Sequence, residues 1–263
     1  MGEAMVRQQV EAAAEAGRLY PAAHPYTRLV RRIGERLARV TAAGAGGGSQ
    51  GHLQGMAWEF HVIDSDEANA FVMPGGKVVV YRGLIELVRD VDGLAGVLAH
   101  EVGHAVARHV AERVTESAWV LAATALAMAL GVDVSRVVAL ALTLPNSRRA
   151  EREADRIGTE LMARACFNPE AMAAVFDALG RLEARGPGRP DPLTSTHPPS
   201  WERVRDCVAH LGEGAGAGAG GDGRGEVVRR FERAECREFR RGLGLATKRY
   251  RLPAGPEPAR PSR

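Results

Sequence analysis

The spacing of apolar residues changes along the chain, and the changes separate a predicted sheet from predicted helices. Trp58 to Ile63 alternates apolar and polar positions, while Ala70 to Met73 and Lys77 to Tyr81 are short apolar runs separated by Pro74, Gly75 and Gly76. These segments predict strands, the last two joined by a tight turn, in a small antiparallel sheet. From about Asp92 to Thr115 the repeat lengthens, and Leu94, Val97, Leu98, Val102, Ala105 and Val106 cover most of a helix circumference, so that helix is expected in the core. A further helix is expected from the capping residues Asn146 and Ser147, behind Pro145, to about Ala165. The pattern as a whole predicts a mainly helical α+β fold.

The buried helix carries chemistry that a core does not require. His100 and His104 are four residues apart, which places both imidazoles on one face, the spacing needed to hold one zinc ion. Glu101 lies beside them, where a carboxylate can act as general base on a metal-bound water. The three-histidine form of this motif would need glycine at 107 and histidine at 110, where Ala107 and Val110 stand. His109 is therefore expected on the helix surface, and the third ligand elsewhere. Glu151 and Asp155 share a face of the later helix, which suits Glu151 as the carboxylate ligand and Asp155 as acceptor of the outer N–H of His100. Glu153 points away and is read, like the neighbouring arginines, as solvated helix surface.

The motif HEVGH followed by SRRAEREAD resembles the gluzincin endopeptidases that include HtpX and the CAAX prenyl proteases. With EANAFVMPGGKVVVYRGLI before it, IGTELMARACFNPEA after it and STHPPSWERV near the end, the chain from Met1 to Val208 is similar to the Oma-type mitochondrial metalloendopeptidases. The resemblance implies a zincin-like domain with one zinc per chain, held by His100, His104 and Glu151, with Glu101 as base. It implies a membrane-associated protease of the mitochondrial inner membrane or another organelle membrane, acting on protein or peptide substrates, membrane proteins among them, in quality control. It adds His197 and Arg203. The histidine would stabilise the oxyanion, and the arginine would assist it, bind a substrate carbonyl or order a carboxylate. It also implies that the strand edge near Asn69 and Ala70 pairs with extended substrate. The alternative is a zinc-binding but inactive adaptor or chaperone-like protein at a membrane.

Composition narrows this reading little. The net charge of +3 and pI near 9.0 are mildly basic, and no zinc knuckle or RNA-binding signature argues for nucleic acid. Glycine clusters divide the chain into residues 1–210, the peptidase domain with an insertion at 42–55, a linker at 211–225, one C-terminal helix at 226–244 and a basic tail at 245–263, expected to be disordered. Cys166, Cys207 and Cys236 have no paired-ligand spacing; a Cys207–Cys236 bridge or three free thiols are both allowed. The start of the chain reads as an amphipathic helix with acidic residues, unlike a signal or transit peptide. Ala118 to Val132 is uncharged and apolar but short of the roughly 20 residues that span a bilayer, which leaves a core helix, a lid or a bilayer-surface contact through 118–144. Oligomeric state is not readable.

Overall fold

The computed structural model describes residues 10–44, 56–73, 75–88, 90–109, 111–112, 147–183, 197, 201–213 and 225–245. The segment 118–144 and the tail from 246 lie outside them. Among the described residues no helix is long and apolar enough to cross a membrane.

After a helical stretch at 10–15, helix α1 (Pro25–Gly44) leads to strands β1 (Glu59–Ile63), β2 (Ala70–Met73) and β3 (Lys77–Tyr81). Helices α2 (Arg82–Val88), α3 (Val91–Val106), α4 (Arg148–Arg164) and α5 (Glu170–Glu183) follow, then α6 (Trp201–Gly212), α7 (Glu226–Phe231) and α8 (Ala234–Gly242). The fold is mainly helical α+β, as expected, but the sheet is mixed. β2 and β3 form the predicted hairpin, with Gly75 and Gly76 both at φ +84°, whereas β1 pairs parallel to β3 in the order β1-β3-β2. A turn specifies only the strands it joins. β1 reaches the far side of β3 through packing between distant segments.

Val78, Val79 and Val80 are all fully buried because both faces of β3 are covered. Val30, Ile33 and Leu37 of α1 join Leu94, Leu98 and Val102 of α3 in the core on one face, and Ile63, Met73, Val79 and Ala13 cluster on the other. Helix α3 starts at Asp90, whose side chain accepts from Gly93 N at 2.7 Å. It ends sooner than the apolar repeat predicts: Ala107 caps it, and Arg108 turns the chain with φ +63°. Helix α4 starts behind Ser147, which accepts from Ala150 N. The two helices cross so closely that a Cβ on Gly103 would lie 2.6 Å from the Ala154 carbonyl oxygen.

Two C-terminal expectations are corrected. Residues 226–244 form two short helices, because the chain bends at Glu232 and Arg233 to lay α8 against the main domain. There Arg240, 2% exposed, pairs with both carboxylate oxygens of Asp92 at 2.7 and 2.8 Å, in the first turn of α3. The same docking brings Cys236 to Cys166, which form the disulfide; Cys207 is a free, buried thiol. Sequence proximity favoured the wrong pair, since the bridge joins residues 70 apart.

Candidate metal centre

The two crossing helices bring the predicted donors to one point. From α3, His100 Nε2 and His104 Nε2 lie 3.1 Å apart; from α4, Glu151 places Oε2 3.4 Å from His100 and Oε1 3.3 Å from His104. His197 completes the group, with Nδ1 3.2 Å from His100 Nε2 and 3.0 Å from Glu151 Oε1. All four side chains are buried, and one donor atom from each lies within 4.8 Å of the others. Donors about 2.0 to 2.1 Å from a tetrahedral ion stand about 3.3 to 3.4 Å from one another, so these separations fit a metal between them.

The outer contacts support the same fit. His100 Nδ1 lies 2.8 Å from Asp155 Oδ1, so with Nε2 given to a metal the proton on the outer nitrogen would face a carboxylate. Arg203 lies 3% exposed between two acids: Nε and Nη2 donate to Asp155 at 2.8 Å each, and Nη1 stands 2.8 Å from Glu151 Oε2. Its guanidinium also lies over the Phe176 ring, 4.4 Å from the centroid, and the same ring meets His100 edge-on. Two buried carboxylates, Glu151 and Asp155, thus share one guanidinium, and a third, Glu101, is buried beside them, an acidic set that suits a divalent cation.

Electrostatic shifts follow from burial and from these pairings. Burial alone would lower His100, but its hydrogen bonds to Asp155 and Glu151 outweigh burial and raise it to about 9. His104 falls to about 3, chiefly through burial, with repulsion from His100 and His197 adding to it. Burial works against ionised Glu151 and Asp155, yet the histidines around Glu151 and the arginine on Asp155 hold both below the usual carboxylate range.

Glu101 occupies a separate position on the same turn. Its Oε2 accepts from Val72 N at 3.1 Å, while Oε1 is buried, accepts no hydrogen bond among the described residues and lies 3.5 Å from His197 Nε2. The Val72 bond brings the edge of the sheet to the site. Asn69 accepts from Tyr81 N at 2.9 Å through its backbone carbonyl, and its side-chain Oδ1 is buried without a partner among the described residues. Ala70, on the edge strand, is fully buried.

His100, Glu101, His104, Glu151, Asp155, His197 and Arg203 come together at or beside this centre, while Ala70 lies on, and Asn69 just before, the strand whose Val72 N–H reaches it, and two environments escaped sequence reasoning. His109 is buried, not on the helix surface, because the reversal at Arg108 folds it back until its Nδ1 lies 3.0 Å from His104 Nδ1. The Val72 N–H is a backbone group and carries no sequence signal. For His109 the only available clue was its position just past a motif, and helical projection placed it wrongly.

The pattern of peptidase family M48 matches residues 27–210. The chain is 38% identical over 201 residues to the mitochondrial metalloendopeptidase OMA1 of Schizosaccharomyces pombe, covering 74% of this chain and 56% of that protein. It is 40% identical over 156 residues to the Arabidopsis thaliana protein of the same name, covering 59% and 32% respectively. It is 33% identical over 163 residues to the beta-barrel assembly-enhancing protease of Escherichia coli K12, covering 57% and 33%. The matched segments thus span from about a third to just over half of these relatives. With its two-helix donor set inside the matched region, the chain belongs to peptidase family M48.

Proposed function

We propose that this chain is a zinc-dependent endopeptidase that cleaves exposed segments of misfolded or membrane-associated proteins. The observation that carries the reading is the convergence of His100 Nε2, His104 Nε2 and the Glu151 carboxylate, with Glu101 beside them and the β2 edge alongside. Two imidazoles and one carboxylate are a donor set suited to catalytic zinc. The ion, when bound, supplies a more acidic water and polarisation of the scissile carbonyl.

The chain's own groups do the rest. Val72 N–H holds Glu101 Oε2, leaving Oε1 free to take a proton from water and return it to the leaving amine. Arg203 clamps Asp155 and Glu151, and thereby sets the orientation of His100 and of the carboxylate donor. On that reading it is a positioning residue, with its guanidinium already engaged by carboxylates. Asn69 bonds inward to β3, so by strand alternation the N–H and C=O of Ala70 and Val72 lie on the outer edge of the sheet. Val72 N–H is taken by Glu101, and the Ala70 amide and carbonyl, buried here, would pair with extended substrate backbone once that edge is exposed, a contact tolerant of sequence.

His197 favours a second reading. At the fourth corner of the donor set it fills the place that water requires, so the protein with His197 there binds metal without turnover, and an oxyanion role begins only when His197 yields that corner to substrate. The mitochondrial names of the relatives support a mitochondrial location for this chain.

Zinc content and casein cleavage of wild type, Glu101→Gln and Glu151→Gln test the proposal. One zinc per chain in wild type and Glu101→Gln, little in Glu151→Gln, and cleavage by wild type alone are expected. Full activity of Glu101→Gln overturns the mechanism, and zinc without cleavage in wild type supports the metal-binding reading.

A further inference from the structure

We infer that His109, with Glu153 behind it, is the positioning residue that sets the tautomer of the metal-ligating His104. The inference rests on the metal site proposed above. His104 presents Nε2 to the donor cluster, 3.1 Å from His100 Nε2 and 3.3 Å from Glu151 Oε1. A neutral imidazole that gives Nε2 to a metal carries its proton on Nδ1. That nitrogen faces His109 Nδ1 at 3.0 Å, and two nitrogens at this distance hold one proton between them. His109 Nδ1 is therefore the acceptor. Its own proton is left on Nε2, which lies 3.5 Å from Glu153 Oε2, a contact longer than a good hydrogen bond.

The result is one directed hydrogen bond from His104 to His109, with the Glu153 carboxylate behind it at the surface. It parallels the contact of His100 with Asp155, so each ligating imidazole has its own outer partner. The backbone is shaped for it. Arg108 adopts φ +63°, a conformation unusual for a residue with a side chain, and this reversal turns His109 under His104 where a continued helix would carry it away. His109 is buried at 8% exposure and Glu153 is half-exposed, so the first link is shielded from water and the last is open to it.

The test uses the full chain and zinc alone. Zinc dissociation constants are measured by competition with a chromophoric chelator for wild type, His109→Leu and His109→Asn. Leucine keeps the bulk and removes the acceptor; the Asn Oδ1 keeps an acceptor where Nδ1 stood. The expected result is a loss of about 10- to 100-fold in affinity for His109→Leu, with most of it recovered in His109→Asn. Nitrogen-15 NMR of the zinc-loaded wild type should show His109 with its proton on Nε2 and an unprotonated Nδ1 accepting from His104 Nδ1–H, a readout that neither packing nor coordination of His104 through Nε2 produces and that needs no variant to fold. A His109→Leu affinity within threefold of wild type, or a protonated His109 Nδ1, overturns the inference while the metal site stands. Failure of the wild type to bind zinc removes the site and this inference together.

Discussion

Replacing Arg203 by methionine isolates the largest electrostatic element of the site. The guanidinium makes three contacts of 2.8 Å with Asp155 and Glu151, and the arginine and both acids are each at most 3% exposed. Methionine fills much of the volume but takes the guanidinium from two buried carboxylates and leaves His100 as the remaining partner they share. Removing one partner of a buried ion pair costs about 3 to 5 kcal/mol. For a domain of this size that is a fall in melting temperature of about 6 to 20 °C. Circular dichroism with a chelator present measures it, and added zinc should restore part of the loss, since a divalent cation offsets the same charge.

Acidity supplies an internal check on that prediction. Asp155 ionises in the folded protein below its ordinary value, because Arg203 outweighs the opposing effect of burial. Its contribution is therefore present above the unfolded pKa of about 3.9 and is lost as pH falls through the lower folded value. In Arg203→Met burial acts unopposed by the guanidinium, so Asp155 takes up its proton at higher pH and the gap between the proteins narrows on acidification. A deficit under about 1 kcal/mol at pH 7 with chelator, or one that widens as pH falls toward 4, would refute the argument.

Three further outcomes are expected. Gly103→Ala forces a methyl against the Ala154 carbonyl oxygen, between the two helices that carry the donors, and should cost about 1 to 3 kcal/mol while weakening zinc binding; a chelator competition and a melt check both. Thiol titration of the unreduced, denatured protein should find one thiol, Cys207, which in the native protein resists alkylation because burial pushes its pKa up; reducing the Cys166–Cys236 bridge should lower stability by about 4 kcal/mol, as loop closure over 70 residues implies. His197→Ala should raise casein cleavage if His197 chiefly occupies the fourth corner, and lower kcat with KM little changed if it chiefly serves the oxyanion.

Much of the site was readable along the chain because its parts are local. A helix repeat places His100 beside His104 and Glu151 beside Asp155 whatever the rest of the fold does, and donor chemistry then limits what such a face holds. The strands and the hairpin turn were equally local, carried by apolar runs and by glycines that accept positive φ. What periodicity could not supply was anything dependent on two distant segments meeting. The parallel pairing of β1, the Cys166–Cys236 bridge and the Arg240–Asp92 pair all come from docking.

The same division runs through the centre itself. Sequence offered Arg203 several roles, and only the crossing of α4 and α6 placed its guanidinium between two carboxylates. Helical projection sent His109 to the surface, and one residue in the left-handed region sent it inward. Residue type and spacing decide which atoms are able to bind a metal. Their protonation and orientation depend on what lies within about 3 Å of the outer side of each donor, and in a folded chain those neighbours are chosen by packing.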